Sequence, residues 1–156
     1  MNDLITVESI TAAFTAGIDQ SPCDGCDACG TRCTAGVPML ESEYQAIEAE
    51  LASLPPADVS CVLGQQKQQA IPGTEESYTA CRFRDVEQGR CLIYRARPAI
   101  CRMFGHVEWL PCPIARIERP IPGGVALMQT YSRAPRHTYE EWSRLRGSSS
   151  GEGDGS

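Results

Sequence analysis

Apolar residues recur at helical spacing in two segments of the amino-terminal half. In residues 4–18 the pattern predicts a short amphipathic helix, carried by Val7, Ile10 and Phe14. In residues 40–54 it is stronger and includes acidic residues in the first turn, with apolar positions at Leu40, Tyr44, Ile47, Leu51 and Leu54. Pro55 and Pro56 end this helix. Residues 19–37 lie between the two patterns, have no apolar period and are predicted to form a loop.

Shorter apolar runs predict strands further along the chain. Residues 58–63 and 125–131 are each predicted to form one short strand, and the polar residues 65–77 a loop. Residues 78–83 and 90–94 are predicted to pair as a β-hairpin, because residues 85–89 between them contain the glycine that a hairpin loop needs. This hairpin is the only paired structure that the pattern indicates.

Capping signals predict two more helices. Pro98 in a first turn and Gly105 as a stop indicate a short helix between them. Thr138 followed three residues later by Glu141 is a capping box. It precedes an apolar stripe that indicates a final helix, made of Tyr139, Trp142 and Leu145.

Length and composition limit the architecture. The chain has 156 residues, of which 42% are hydrophobic, enough for one compact domain with a modest core. Residues 147–156 are rich in glycine, serine and acid and are predicted to be a disordered tail. The predicted fold is therefore α+β. We expect one small metal-stapled domain over residues 1–146, with short helices around a β-hairpin and irregular cysteine-rich loops.

Charge and hydropathy exclude several classes of partner. No apolar run approaches the length that crosses a membrane, and the amino terminus lacks the basic and then apolar pattern of a secretory signal. A cytoplasmic protein without a membrane partner is expected. The formal net charge of −6 disfavours nucleic acid as the principal partner. The sequence does not decide whether the chain has a protein partner.

The nine cysteines are the main chemical signal. The cytoplasm keeps thiols reduced, and an odd number would leave one cysteine unpaired, so metal binding is favoured over a disulfide framework. The disulfide alternative remains, because a missing signal peptide can also reflect a trimmed chain or an unusual export route.

Eight of the cysteines fall into two sets. A tight C-x2-C-x2-C-x3-C run matches the spacing by which bacterial ferredoxins hold iron–sulfur clusters, and consists of Cys23, Cys26, Cys29 and Cys33. A loose set lies on the predicted hairpin, the short helix and a proline-flanked turn, and consists of Cys81, Cys91, Cys101 and Cys112. A hairpin and the helix after it can bring distant sulfurs together. Eight thiolates can thus form one large site or two separate sites.

Three segments around the loose set resemble the YkgJ-type cysteine-cluster family, which is described as chelating zinc or iron. They are residues 81–85, 89–94 and 97–105. The resemblance covers residues 23 to 105 and implies six metal ligands, Cys26, Cys29, Cys33, Cys81, Cys91 and Cys101. Cys23 and Cys112 are added from the spacing alone. The chain departs from the family where a paired cysteine is expected after Gly30, since Arg32 and Cys33 stand there. A flagellin lysine methylase is similar through the same cysteine pattern.

Other residues near the two sets have weaker signals. Cys61 is outside both and is predicted to be a buried small hydrophobe. His106 is a candidate to complete a site, although a lone histidine at a helix end is more often structural or exposed, and His137 is a weaker candidate. Six arginines near the loose set are predicted to offset the charge of metal thiolates or to form a solvated face, namely Arg82, Arg84, Arg90, Arg95, Arg97 and Arg102.

The sequence allows more than one metal and more than one function. Thiolates bind both iron and zinc, and the tight run favours an iron–sulfur cluster of the 4Fe–4S type, although Thr34 replaces the ferredoxin proline and no second such run exists. We expect a metal-cluster protein in electron transfer, metal handling or an accessory role. A cluster-dependent redox or group-transfer enzyme and a purely structural zinc domain are the alternatives. The sequence has no glycine-rich cofactor fingerprint or nucleophile elbow, so no catalytic residue is assigned.

Overall fold

The computed structural model describes residues 6–23 and 26–150 and combines short helices with three two-stranded antiparallel sheets. The helices are α1 (Val7–Ala16), α2 (Glu41–Ser53), α3 (Pro56–Leu63), α4 (Ala99–Met103), α5 (Gly124–Tyr131) and α6 (Tyr139–Ser150). The strands are β1 (Gln68–Ala70), β2 (Ser77–Thr79), β3 (Arg84–Asp85), β4 (Arg90–Cys91), β5 (His106–Val107) and β6 (Leu110–Pro111). Single 3-10 turns occupy Ser21–Cys23, Gly30–Arg32 and Tyr94–Ala96. The α+β class predicted from the sequence is confirmed.

The four helices with clear sequence signals form where they are predicted. Helix α1 begins at a capping box between Thr6 and Ser9, and α2 covers the strongest apolar period. Helix α4 lies between Pro98 and Gly105, with Cys101 inside it. Thr138 and Glu141 exchange hydrogen bonds of 3.1 and 3.2 Å at the start of α6. Side-chain caps satisfy amide groups that would otherwise lack partners at a helix start.

Two segments predicted as strands are helices. Helix α3 replaces the strand predicted at residues 58–63, with Pro56 in its first turn and Gly64 after its end. Helix α5 replaces the strand predicted at residues 125–131, and it buries Leu127 and Tyr131, which lie one turn apart. Both runs are short and apolar, so their period does not separate a strand from a buried helix.

The hairpin that carries Cys91 is shorter than predicted and begins later. Strand β3 pairs with β4, and Gly89 closes their connection at φ +65°. Cys81 precedes β3 rather than lying on it. Residues 77–79 pair instead with β1, within the segment predicted to be a loop. The hairpin turn is held by the buried carboxylate of Asp85, which accepts hydrogen bonds from the Gln65 side chain and from two turn amides.

The main hydrophobic cluster, called here the aromatic core, joins α2, α6 and the β3–β4 region. Its buried members are Met39, Tyr44, Ile47, Phe83, Ile93 and Trp142. The Trp142 indole donates a 2.9 Å hydrogen bond to the Met39 carbonyl, which fixes α6 against the chain before α2. Cys81 and Cys91 pack against this cluster. Two smaller clusters lie around Met103 and Tyr131.

One carboxylate connects three helices. Glu43, in the first turn of α2, accepts a 2.9 Å hydrogen bond from the Leu40 amide and one of 2.5 Å from the Tyr131 hydroxyl of α5. Its other oxygen accepts a 2.5 Å hydrogen bond from the Ala99 amide at the start of α4. Hydrogen bonds to a charged acceptor are stronger than neutral ones. Glu43 therefore sets the position of α4, which carries Cys101.

Helix α6 extends to Ser150, four residues beyond the predicted domain end at Arg146. The remainder of the predicted tail, 151–156, lies outside the described residues. Of the helices in the described part of the chain, none is both long and apolar enough to cross a bilayer.

Candidate metal centre

Eight cysteines line one cavity of about 520 Å³, at the junction of the 19–37 segment, the β3–β4 hairpin and α4. They are Cys23, Cys26, Cys29, Cys33, Cys81, Cys91, Cys101 and Cys112. Each is a free, half-buried thiol. The ninth cysteine, Cys61, is exposed on α3, so its prediction as a buried hydrophobe is wrong.

Tight backbone turns lie in the described part of the segment that holds the first four cysteines. The Cys26 amide donates to the Cys23 carbonyl at 3.0 Å, and the Arg32 amide donates to the Cys29 carbonyl at 2.8 Å. Such turns reverse the chain direction within a few residues, so side chains that are close in sequence can lie on the same side of the segment. The segment has few apolar residues to pack against a core.

Cys33 leaves this series and joins the Cys81 segment. The Cys81 amide donates to the Cys33 carbonyl at 3.0 Å, and an antiparallel bridge pairs Thr34 with Ala80. The Cys33 thiol donates a hydrogen bond to the Cys81 sulfur, which raises the pKa of Cys33 and lowers that of Cys81. These two sulfurs are neighbours across a backbone ladder.

Cys91 and Cys101 lie beside this pair. Burial, together with the charge of Cys81, raises the pKa of Cys91 to about 11. Burial likewise raises the pKa of Cys101 to about 12, with added contributions from Cys81 and Cys91. These interactions define a core group of four cysteines, named for its contact with the aromatic core: Cys33, Cys81, Cys91 and Cys101.

The other four cysteines interact among themselves. The pKa of Cys23 is raised by burial first and then by the charges of Cys29 and Cys26. The pKa of Cys29 is raised by burial and by the charge of Cys112. They form a loop group, so named because its members lie in turns and irregular chain: Cys23, Cys26, Cys29 and Cys112.

This grouping differs from the one predicted. The spacing places Cys33 in the tight run and Cys112 in the loose set, whereas in the structure each lies with the other group. Spacing along the chain does not predict the group of Cys33, because its backbone pairs with a segment almost fifty residues later. That the eight thiols are metal ligands stays a prediction.

Backbone amides point at several of the sulfurs. Amides of Ile117, Ile114 and Arg116 donate to Cys112 and lower its pKa, in a turn where Ala115 has φ +53°. The Phe83 amide donates to Cys81, and the Ile93 amide donates to Cys91. Hydrogen bonds to sulfur stabilise the thiolate form and adjust the properties of a bound metal.

An ion pair connects the two groups. Arg84 on β3 donates two hydrogen bonds, of 2.8 and 2.6 Å, to Asp27 between Cys26 and Cys29. Two glycines make room for it. A Cβ at Gly30 would lie 2.5 Å from an Arg84 nitrogen, and a Cβ at Gly89 would lie 2.9 Å from an Asp27 oxygen. Bidentate arginine–carboxylate pairs have a fixed geometry, so this pair aligns the loop group with the hairpin.

Four of the six arginines predicted to surround the site line the cavity, and one of these four, Arg97, also lines a second groove. Arg82, Arg84, Arg90 and Arg97 line the cavity, together with Arg116, which the sequence analysis did not single out. Arg95 and Arg102 line instead a separate groove of about 360 Å³ between α1, α2 and α4. Arg116 lies in the turn whose amides donate to Cys112, and the sequence pattern does not predict that turn.

The two histidines have different surroundings. His106 is 3% exposed, and its Nε2 lies 3.1 Å from the Cys23 sulfur. Burial and the nearby charge of Arg97 lower the pKa of His106. His137 packs edge-on against Trp142 and faces Glu141 at 3.6 Å, outside the cavity lining. The sequence ranks His106 above His137, but the burial of His106 beside Cys23 arises from tertiary packing and has no local signal.

The donor set fits a thiolate-bound metal, but the side chains do not converge on one point. Among the described residues, no three histidine, cysteine or carboxylate side chains form a ready-made site for a single ion. The thiols stand around the cavity instead. Its size and its eight sulfur donors are compatible with a polynuclear centre, since such centres spread their cysteine ligands over several metal ions.

Comparison with known proteins gives one significant match. A family model named CxxCxxCC and described as a putative zinc- or iron-chelating domain matches residues 22–122. This range contains all eight cavity cysteines. The same comparisons find no significant match among curated proteins or solved structures.

Proposed function

The chain belongs to the CxxCxxCC family, and from this premise we propose that its eight cavity cysteines hold metal in two four-thiolate centres. One centre uses the loop group and the other uses the core group. Zinc or iron chelation is the activity that family membership supports. The division into two centres rests on which thiols interact with one another.

The observation that carries the proposal is the single cavity surrounded by eight thiols. A tetrathiolate zinc ion needs four sulfurs at about 2.3 Å, which requires tight convergence on one point. Thiols spaced around about 520 Å³ suit the larger iron–sulfur clusters better. We therefore favour two iron–sulfur clusters over two zinc ions.

When bound, such clusters would supply one-electron transfer. The chain's own residues then have defined parts. The backbone amides at Cys81, Cys91 and Cys112 would donate hydrogen bonds to bound sulfurs. We propose a cytoplasmic electron-transfer or accessory protein that serves a protein partner.

A structural zinc domain is the second candidate, and one observation favours it. Cys81 and Cys91 pack directly against the aromatic core, so a metal in the core group would link the hairpin to that core. Structural metal centres contribute folding free energy outright. This role would require no open coordination position.

The test is oxygen-free purification followed by absorption spectroscopy and by analysis of iron, zinc and acid-labile sulfide. Two iron–sulfur clusters predict a coloured protein, with iron and sulfide halved in either single-group variant. These variants are Cys26→Ser with Cys29→Ser, and Cys91→Ser with Cys101→Ser. Cys61→Ser is the matched control and should retain full metal, because Cys61 is exposed and outside the cavity.

Other outcomes would change the proposal. A colourless protein with zinc and no sulfide would overturn the iron–sulfur assignment and favour the structural role. Loss of all metal in both variants would show that the eight thiols form one joint centre. Full metal content in either variant would mean that its cysteines are not ligands.

A further inference from the structure

We infer that the Arg97 guanidinium is a fixed positive charge shared by the loop group and the core group, and that it strengthens metal binding in both. This inference rests on the proposed function of two metal centres. It assigns a positioning role to a residue that precedes α4 and touches segments of both groups.

Arg97 is held by four contacts. Its Nε donates a 3.0 Å hydrogen bond to the Tyr94 carbonyl, and its guanidinium carbon lies 3.9 Å from the centre of the Tyr94 ring. One terminal nitrogen donates to the Gln20 side chain at 3.2 Å, and the other donates to the Cys101 carbonyl at 3.5 Å. Because several contacts hold the guanidinium, its positive charge stays in one position.

These contacts place the charge between the groups. Gln20 lies three residues before Cys23 of the loop group, and Cys101 is a member of the core group. Gln20 is itself anchored, because its amide nitrogen donates a 3.0 Å hydrogen bond to the Arg102 carbonyl. Arg97 also lines the cavity that both groups share.

The electrostatic effects agree with this position. The charge of Arg97 lowers the pKa of Cys23 in the loop group, and of Cys91 and Cys101 in the core group. Other cations act more locally. Arg32 lowers the pKa of Cys29, and Arg116 that of Cys112, both within the loop group.

A shared cation matters because metal binding makes both groups anionic. Four thiolates and one divalent ion carry a net charge of about −2. Two such centres beside one cavity repel each other, and a fixed cation between them offsets both charges. Removal of the Arg97 charge should therefore weaken metal binding in both groups.

The test measures metal affinity of each group separately by competition with a zinc chelator, in the two single-group variants described above. Arg97→Gln should weaken zinc binding by about 10–100-fold in both backgrounds. Arg97→Lys keeps the positive charge but not the planar guanidinium, and should retain most of the affinity that Arg97→Gln loses. Arg95→Gln is the matched control, since Arg95 lies two residues away and lines the other groove.

Each outcome supports or overturns the inference. A loss confined to one group would refute the sharing, and equal losses in Arg97→Lys and Arg97→Gln would show that Arg97 acts through packing alone. Arg97→Met keeps the stem against the Tyr94 ring and replaces Arg97→Gln if that variant does not fold. If neither single-group background binds zinc or iron before Arg97 is changed, the proposed function itself is wrong.

Discussion

The loop group and the core group have the same four thiols but very different supports. The core group lies on a backbone bridge, a hairpin and a helix, and two of its members contact the aromatic core. The loop group lies in turns, and none of its members is among the residues packed against the hydrophobic clusters of the described chain. Thiols that contact a core can support the fold, whereas thiols in turns can be reached without disturbing it.

This difference separates two uses of the same chemistry. A metal in the core group would add to the packing of the aromatic core, which two of its thiols contact. A metal in the loop group would add little to the core and would be nearer to loops that a partner can contact. We expect stability to depend on one centre, and exchange of metal or electrons to depend on the other.

Removal of metal should give the largest effect. In a Trp109→Phe background, Trp142 is the remaining tryptophan, and only 9% of it is exposed. A graded chelator should first release metal from the loop group with no change in Trp142 fluorescence. Release from the core group should then unfold the protein, because a structural metal contributes about 10–16 kcal/mol. A shift in Trp142 emission during the first release would remove the distinction between the groups.

Single ligand changes should give the next largest effect. Cys29→Ser and Cys91→Ser should each lower metal content, but Cys91→Ser should cost about 3 kcal/mol more in the free energy of unfolding. The thermal midpoint should fall by about 6–12 °C more for a domain of this length. Differential scanning calorimetry measures this. Cys61→Ser is the control and should keep the original midpoint. Equal midpoints for Cys29→Ser and Cys91→Ser would contradict the idea that the two groups contribute differently to stability.

The ion pair that connects the groups should be sensitive to one methyl group. Gly89 and Gly73 both have positive φ, of 65° and 79°, so alanine adds similar backbone strain at each. Only at Gly89 does the added Cβ meet Asp27, at 2.9 Å, while Gly73 has nothing within 4 Å. Gly89→Ala should therefore cost about 1–2 kcal/mol more than Gly73→Ala in urea denaturation. The same cost at both positions would mean that Asp27 moves freely aside.

The smallest effect should be a pH dependence beside the loop group. The pKa of buried His106 is lowered, so the unfolded chain takes up a proton at a higher pH than the folded chain. The contribution of His106 to stability should therefore be complete above about pH 6.5 and fall as the pH drops below that value, by at most about 1.4 kcal/mol per pH unit. His106→Gln should lack this slope, whereas His137→Gln should keep it. Urea denaturation between pH 5 and 8 measures the slope, and an unchanged slope in His106→Gln would assign it to other groups.

Periodicity and capping predict much of the fold. Helix α2 repeats its apolar positions over fifteen residues, and α6 has both parts of its capping box, so neither depends on tertiary context. Helices α3 and α5 have only eight residues each. Over that length β-branched and apolar residues fit a strand or a helix, and packing decides between them.

The site is predictable in its members but not in its arrangement. All eight cysteines taken from the sequence line one cavity. The exchange of Cys33 and Cys112 between groups depends on long-range backbone pairing and on the turn after Cys112, neither of which leaves a local pattern. Arg116 lines the cavity through the turn after Cys112, and His106 approaches the Cys23 sulfur through tertiary packing.

The position of Glu43 bears on the order in which metal is acquired during synthesis. Cys23, Cys26 and Cys29 emerge together and need only local turns to approach one another. The start of α4 is fixed by a carboxylate that also holds α5, so Cys101 reaches its place only after residues beyond 130 are made. Contacts between distant segments form later than local ones. We therefore expect the nascent chain to bind its first metal through these three closely spaced thiols, and the four thiols of the core group to come together last.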